Sequence, residues 1–260
     1  MTRRSLILLT LIATCAAATA PCLAAGWGSL KGKFVVQGSA PEVPPLKVDK
    51  DEFCIKAKPK NHALVLGKNN ELANVVIYLK PPRGKTVEVH PDYEKSFGEA
   101  VELDNKGCEF IPHVTLLRTD QEFVIANSDP TGHNTNASLL KNGAFNVLIA
   151  ANEKRSMKLS KEESIPLPVA CNIHSFMKGY LLVKQDPYMA TSADDGSFEI
   201  KNIPAGKHDF VLWHEMAGYL KDVKHKAGKA DRRGTSELDI PADGEIDLGT
   251  IEVPAALLKN

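Results

Sequence analysis

The chain has 260 residues, and its 32 Lys and Arg are balanced by 32 Asp and Glu, giving a formal net charge of zero. No basic patch is interleaved with aromatic residues, which argues against nucleic acid as a partner. Beyond the N-terminal region no stretch approaches the 18 or so apolar residues of a membrane-spanning helix, so the mature chain reads as soluble and exported.

The first residues are MTRRSLILLTLIATCAAATAPCLAAG. Arg3 and Arg4 form a basic start, Leu6 to Ala20 an apolar stretch, and Cys22-Leu23-Ala24 a small-x-Ala cleavage pattern, so residues 1–24 read as a secretory signal peptide directing the chain to the periplasm. A lipoprotein signal fits less well, because Thr14 precedes Cys15 and Pro21 precedes Cys22 where a small residue is expected. An uncleaved anchor is the remaining alternative.

After the signal, about 235 residues suffice for one large domain or two small ones. Short runs of β type follow one another in chain order: LKGKFVVQG, ANVVIYLK, HVTLLR, EFVIANSD, GYLLVKQ, GSFEIKNI, HDFVLWHE and EIDLGTIEV. Many alternate apolar and polar residues, as half-buried strands do, and their even spacing predicts an all-β chain of sandwich type. Helical periodicity is scarce; Lys50–Lys56 and Met216–Val223 are the best short candidates. Ser39–Lys60 is rich in Pro and Lys and reads as an irregular loop, and Lys224–Thr235 as an exposed one. Asp194-Asp195-Gly196 fails the calcium-loop spacing and is explained by a hairpin turn.

Chemistry concentrates in PVACNIHSFMKGYLLV, where Cys171, His174 and Met177 fall within seven residues, with His133-Asn134 thirty-eight residues upstream. A thiolate, two imidazoles and a thioether form the ligand set of a mononuclear blue-copper site, with His₂Cys near a plane and Met weakly axial. Zinc gains little from a thioether, and calcium and magnesium want oxygen. The plain alternatives are a packed Met177, surface or core histidines, and Cys171 in a disulfide. Three cysteines remain after the signal, Cys54, Cys108 and Cys171. If Cys171 binds metal, Cys54–Cys108 is the one disulfide left; otherwise Cys171 pairs with either.

Two resemblances sharpen the reading. CEFIPHVTLLRTDQEFVIANSDPTGHNTN carries Phe110, Pro112, Asn127, Asp129 and His133 where cupredoxins have their Phe-x-Pro strand, Asn-x-Asp strand end and first copper histidine. Cys-x₂-His-x₂-Met is similar to the ligand loop of the amicyanin type, whereas Ala170 stands where many members of the plastocyanin-like family have an aromatic residue. The resemblance runs over about Val101 to Lys184, and residues 98–185 are assigned to this domain. It implies a Greek-key β-sandwich and a type 1 copper held by His133, Cys171, His174 and Met177. Asn134 would bridge its loop to the cysteine loop, and a Cys54–Cys108 bridge would pin the N-terminal loop near the site.

ATSADDGSFEIKNIPAGKHDFVLWHE resembles the carboxypeptidase regulatory-like, transthyretin-type β-sandwich, and GSLKGKFVVQGSAP resembles its first strand. Residues 28–82 with 187–253 would then form a discontinuous sandwich carrying the cupredoxin as an insertion; tandem sandwiches are the alternative. His113 has no place in this scheme beyond a structural role, a second metal contact or an interdomain hydrogen bond. Trp213-His214-Glu215 is read as packing and surface more than as metal-binding.

Together these features imply a periplasmic one-electron carrier, with electrons passing through an exposed edge of His174 in an apolar patch that Phe176 borders and on which a redox protein docks transiently. A cell-envelope binding module with copper absent or incidental is the alternative. An enzyme is not expected: no His-x-His cluster offers a further copper site, and no Gly-x-Ser-x-Gly elbow is present.

Overall fold

A computed structural model describes residues 26–259, so the signal-peptide reading lies outside the described residues. β1 (Trp27–Gln37) is followed by a long strap that carries α1 (Glu52–Ala57) and leads to β2 (Val76–Lys80). After a 3-10 turn at Pro91–Ser96 come β3 (Ala100–Lys106), β4 (Glu109–Ile111), β5 (Val114–Arg118) and β6 (Glu122–Asn127). The middle of the chain continues through β7 (His133–Leu139), β8 (Gly143–Ile149), β9 (Lys154–Met157), β10 (Leu167–Ala170) and β11 (Lys178–Lys184). β12 (Met189–Thr191), β13 (Ser197–Pro204) and β14 (Gly206–His214) follow, then the two-residue strands β15 (Gly218–Tyr219), β16 (Lys224–His225) and β17 (Gly228–Lys229). β18 (Thr235–Ile240) and β19 (Glu245–Pro254) end the succession, and the chain is all-β.

Two sandwiches result. In one, the sheet β13-β1-β19 faces the sheet β12-β2-β14-β15, to which β18 adds along β14. Its core takes Leu30 and Phe34 from β1, Ile77 and Leu79 from β2, Phe210 and Leu212 from β14, and Ile251 from β19. In the other, the sheet β5-β11-β10-β7-β8 faces β4-β3-β6-β9 around Leu103, Phe110, Phe123, Ile125, Leu181 and Val183. The first core thus draws on both ends of the described chain and the second mostly on its middle.

The unbroken apolar runs have a direct cause. Side chains alternate across a strand, so a run apolar at every position must be covered on both faces. In β11, Leu181 and Val183 enter the second core, while Leu182 turns the other way with Val114. In β2 and β14, Ile77, Leu79, Phe210 and Leu212 fill the first core, whereas Val76, Tyr78, Val211 and Trp213 meet Leu182 and Val114 between the sandwiches. Tyr180 packs edge-on against Trp213 in the same seam, with ring centroids 4.9 Å apart. Each large apolar side chain removed from water contributes about 1.5–3 kcal/mol, so this seam ties the two sandwiches together.

Two local expectations differ from what forms. Met216–Val223 is no helix: β14 folds back as a hairpin in which Trp213 pairs Tyr219 and His214 pairs Gly218. Gly218 takes φ +63°, which a continuing right-handed helix excludes. Lys224–Thr235 is not wholly exposed, because His225 is buried and bonds Ser236 Oγ at 2.9 Å. Asp194-Asp195-Gly196 does form a tight turn, with Gly196 at φ +77° and Asp195 accepting from Ser197 N at 3.0 Å.

One buried charge yields a stability prediction. Burial pushes the Asp186 carboxyl up to about 6, and Lys184 only partly offsets it. The folded state therefore holds this proton more tightly than the unfolded chain, so the Asp186 contribution is full below the ordinary carboxylate value of about 3.8 and is lost as pH rises through 6. Asp186→Asn is expected to flatten this component and to add about 2–3 kcal/mol at pH 7 relative to wild type. Urea unfolding of both proteins at pH 4 and pH 7 checks it; an equal difference at the two pH values contradicts it.

Candidate metal centre

His133 opens β7, directly after a loop held in shape by Asn127. Asn127 Nδ2 donates to Thr131 O at 2.8 Å and to Ile149 O at 3.2 Å, and its Oδ1 accepts from Asp129 N at 3.0 Å. These bonds bend the chain back so that His133 pairs Ile149 across the sheet and its ring points inward, fully buried. His133 is therefore the first residue of a strand and not part of the preceding loop.

Cys171, His174 and Met177 lie on the turn between β10 and β11. The turn closes on itself: Cys171 N donates to Met177 O at 3.2 Å, and Met177 N donates to His174 O at 2.8 Å. Since β10 and β11 pair antiparallel up to Ala170 and Lys178, the seven intervening residues have little freedom. Cys171, His174 and Met177 are 1–3 % exposed. Cys171 is the free cysteine among the described residues, and Cys54 is bridged to Cys108.

The donor atoms converge. His133 Nδ1 and His174 Nδ1 are 3.0 Å apart, and Cys171 Sγ is 3.9 Å from His174 Nδ1. Each ring is held from its far side by a carboxylate. His133 Nε2 donates to Asp129 Oδ2 at 2.9 Å, and Asp129 in turn accepts from Gly107 N and Cys108 N at 2.6 and 2.8 Å. His174 Nε2 lies 3.4 Å from Asp51 Oδ2, an atom that also accepts from Thr131 Oγ1 at 2.6 Å. Such carboxylate partners fix the tautomer that leaves the opposite nitrogen free for a metal. The residues fit a soft, small transition-metal ion.

Electrostatics favour the thiolate and a protonated His133 in the metal-free protein. Burial raises the Cys171 thiol, but contact with His133 and hydrogen bonds from loop amides more than compensate, and its pKa falls below the ordinary value. For His133, burial lowers the pKa, yet Asp129 and Cys171 outweigh it and carry it up to about 9. His174 is lowered, by burial first and then by the neighbouring His133. A thiol predisposed to ionise is the form a metal requires, and a bound metal would take the place of the proton that Asp129 and Cys171 favour on His133.

Asn134 joins the two ligand-bearing segments. Its Oδ1 accepts from Asn172 N at 2.7 Å, Ile173 N at 3.2 Å and the Cys171 thiol at 3.3 Å, while its Nδ2 donates to Asn146 Oδ1 at 2.7 Å. Asn134→Ala leaves two loop amides without their acceptor and is expected to cost the metal-free protein about 2–3 kcal/mol. Guanidine unfolding measures this; a loss below about 0.5 kcal/mol, typical of surface changes, would falsify the bridging role.

The expected exposed edge of His174 is corrected. The residue is 3 % exposed, because the strap crosses above it. Asp51 caps α1, accepting from Phe53 N at 2.9 Å, and adopts φ +67°, an uncommon angle for a non-glycine residue. The Cys54–Cys108 disulfide anchors this cap next to the site: Cys54 lies with Asp51 and His174, and Cys108 with Asp129 and His133, each group having ligand atoms within 4.8 Å of one another. Sequence reasoning missed Asp51. The signal present was an Asp before Glu52–Cys54, an N-cap pattern, but its nearness to His174 depends on a bridge across 54 residues.

His113 meets the other sandwich: its Nε2 bonds Glu215 Oε2 at 2.7 Å, the interdomain option among its three readings. His214 is buried on the same strand end, with burial pressing its pKa down to about 4.

No protein-family model matches the chain, and no curated protein does. Among solved structures it is similar to a mutant of amicyanin in its reduced Cu(I) form at pH 4, at 17 % identity over 33 % of this chain and 82 % of that one, with a TM-score of 0.30. It is also similar to a Cu-containing nitrite reductase (NirK) from Thermus scotoductus SA-01, at 18 % identity over 40 % of this chain and 25 % of that one, TM-score 0.30. A purple cupredoxin from Nitrosopumilus maritimus aligns at 14 % identity over 33 % of this chain and 99 % of that one, TM-score 0.28. These likenesses reach well under half of the chain.

Proposed function

We propose that the chain holds one copper ion at His133, Cys171, His174 and Met177 and serves as an exported, periplasmic one-electron carrier rather than an enzyme. The convergence of two buried imidazole Nδ1 atoms, 3.0 Å apart, on the single free, buried thiol among the described residues carries this reading. Copper supplies reversible one-electron exchange when bound. The protein's part is to keep the donors in place: Asp129 and Asp51 orient the rings, Asn134 ties the cysteine loop to β7, and the short β10–β11 turn limits rearrangement.

With His174 covered, a partner would dock over its edge through the strap or beside it. Ile173 and Leu148 are 47 % and 67 % exposed, and both flank Asn134, since Ile173 N bonds its side chain and Leu148 pairs it across the sheet. They form the apolar patch for a transient redox partner, and such encounters are typically small. Among the described residues no helix is long and apolar enough to cross a membrane. The alternative, an envelope binding module without copper, predicts a colourless protein.

An absorption spectrum of the mature protein with one equivalent of Cu(II) tests the proposal. An intense visible band that bleaches with ascorbate supports it; a colourless complex that ascorbate leaves unchanged removes it.

A further inference from the structure

Between the two sandwiches lies a cavity of about 740 Å³, and two histidines from distant parts of the sequence meet on its wall. His62 comes from the strap and His113 from the link between β4 and β5. Their ring centroids are 5.5 Å apart with planes tilted by 33°, against 4.7 Å for the His133–His174 pair. Neither belongs to the centre built around Cys171.

Each ring is fixed by a carboxylate at the same nitrogen. His62 Nε2 bonds Glu109 Oε2 at 2.6 Å, and His113 Nε2 bonds Glu215 Oε2 at 2.7 Å. Glu109 is itself held, its Oε1 accepting from Lys60 N at 2.6 Å. The side chains of His113 and Glu215 are only 8 % and 10 % exposed, while His62 and Glu109 reach 25 % and 18 %. An ionised carboxylate can only accept, so the neutral ring facing one carries its proton on Nε2 and leaves the Nδ1 lone pair available. No side-chain hydrogen bond occupies either Nδ1 among the described residues. Two histidines backed by carboxylates with the opposite nitrogens unused is how proteins present imidazole to a metal.

The rest of the cavity narrows the choice of ion. Met216, next to Glu215, lines it, and a thioether is a soft ligand that suits copper. Among divalent first-row ions copper also binds nitrogen ligands most strongly. We infer that the His62–His113 pair is a second copper site, with each Nδ1 as a ligand, Glu109 and Glu215 as the carboxylates that orient the rings, and Met216 as a soft neighbour. The strap and the β4–β5 link supply the two rings and the β14–β15 turn supplies Glu215, so the site spans both sandwiches. It stands independently of the Cys171 centre.

The test counts copper. Metal-free mature protein is titrated with Cu(II) and freed of excess by gel filtration, then read by metal analysis, absorption and electron paramagnetic resonance. Wild type should retain a second equivalent showing nitrogen ligation and no intense visible band. His62→Ala and His113→Gln should each weaken this equivalent at least tenfold while leaving any visible thiolate band unchanged. Because His62 is partly exposed, its replacement should spare the fold, as far-ultraviolet circular dichroism would show. A wild-type stoichiometry below two with the visible band present, or a second equivalent of unchanged affinity in either variant, overturns the inference. A protein that lacks the band yet binds copper through His62 and His113 keeps this site and loses the function proposed above.

Discussion

Cys171→Ser is expected to abolish the visible band and to weaken copper binding by more than about 100-fold, since even removing a hydrogen-bond partner of a metal ligand costs about 10–100-fold. The reason lies in what surrounds the sulfur. Its thiol is favoured toward the charged form by His133 and by loop amides despite burial, so the site is arranged for a thiolate and offers a serine hydroxyl little in its place. The substitution is nearly isosteric and Cys171 makes no covalent link, so the metal-free fold should persist. Absorption with one equivalent of Cu(II) and competition against a Cu(I) chelator measure the two effects. A serine variant that keeps the colour and the affinity would remove Cys171 from the ligand set.

Opening the Cys54–Cys108 bridge should have the largest effect on stability. It joins residues 54 apart, and the chain-entropy treatment assigns a loop of that size about 4 kcal/mol. For a chain of this length that corresponds to a drop in melting temperature of roughly 10 °C. A Cys54→Ser, Cys108→Ser double variant should therefore melt earlier. It should also release copper to an external chelator faster, because the bridge anchors the strap that places Asp51 against His174. Both sulfurs are buried within the second core, so lost packing adds to the entropic loss. Unchanged melting with faster copper release would separate the cover from the fold, and unchanged values of both would contradict the anchoring role.

Much of the fold was legible locally. Runs such as VVIYL, GYLLV and FVLW name strands because β-branched and aromatic residues pack on a pleated surface. Their lack of alternation carried further information: residues apolar at every position foretell cover on both faces, which β2, β11 and β14 receive at the seam between sandwiches. Several strands escaped notice. β3, AVELDNK, is short of apolar residues, with only Leu103 and Asn105 fully buried, and β9, KRSM, is a largely exposed edge. Such strands are specified by their neighbours' hydrogen bonds rather than by their own pattern.

Side-chain chemistry over short spans specifies the all-β class and the strands with strong apolar patterns, and it singles out His133, Cys171, His174 and Met177 as a candidate set. Cys-x₂-His-x₂-Met is read as a unit since one turn holds all three. Long-range packing alone sets His174 beneath Asp51, His113 against Glu215 and His62 beside His113. Those neighbours come from segments dozens of residues apart or from opposite sandwiches. No local periodicity encodes such distances; they follow from how a disulfide and a shared apolar seam bring remote strands together.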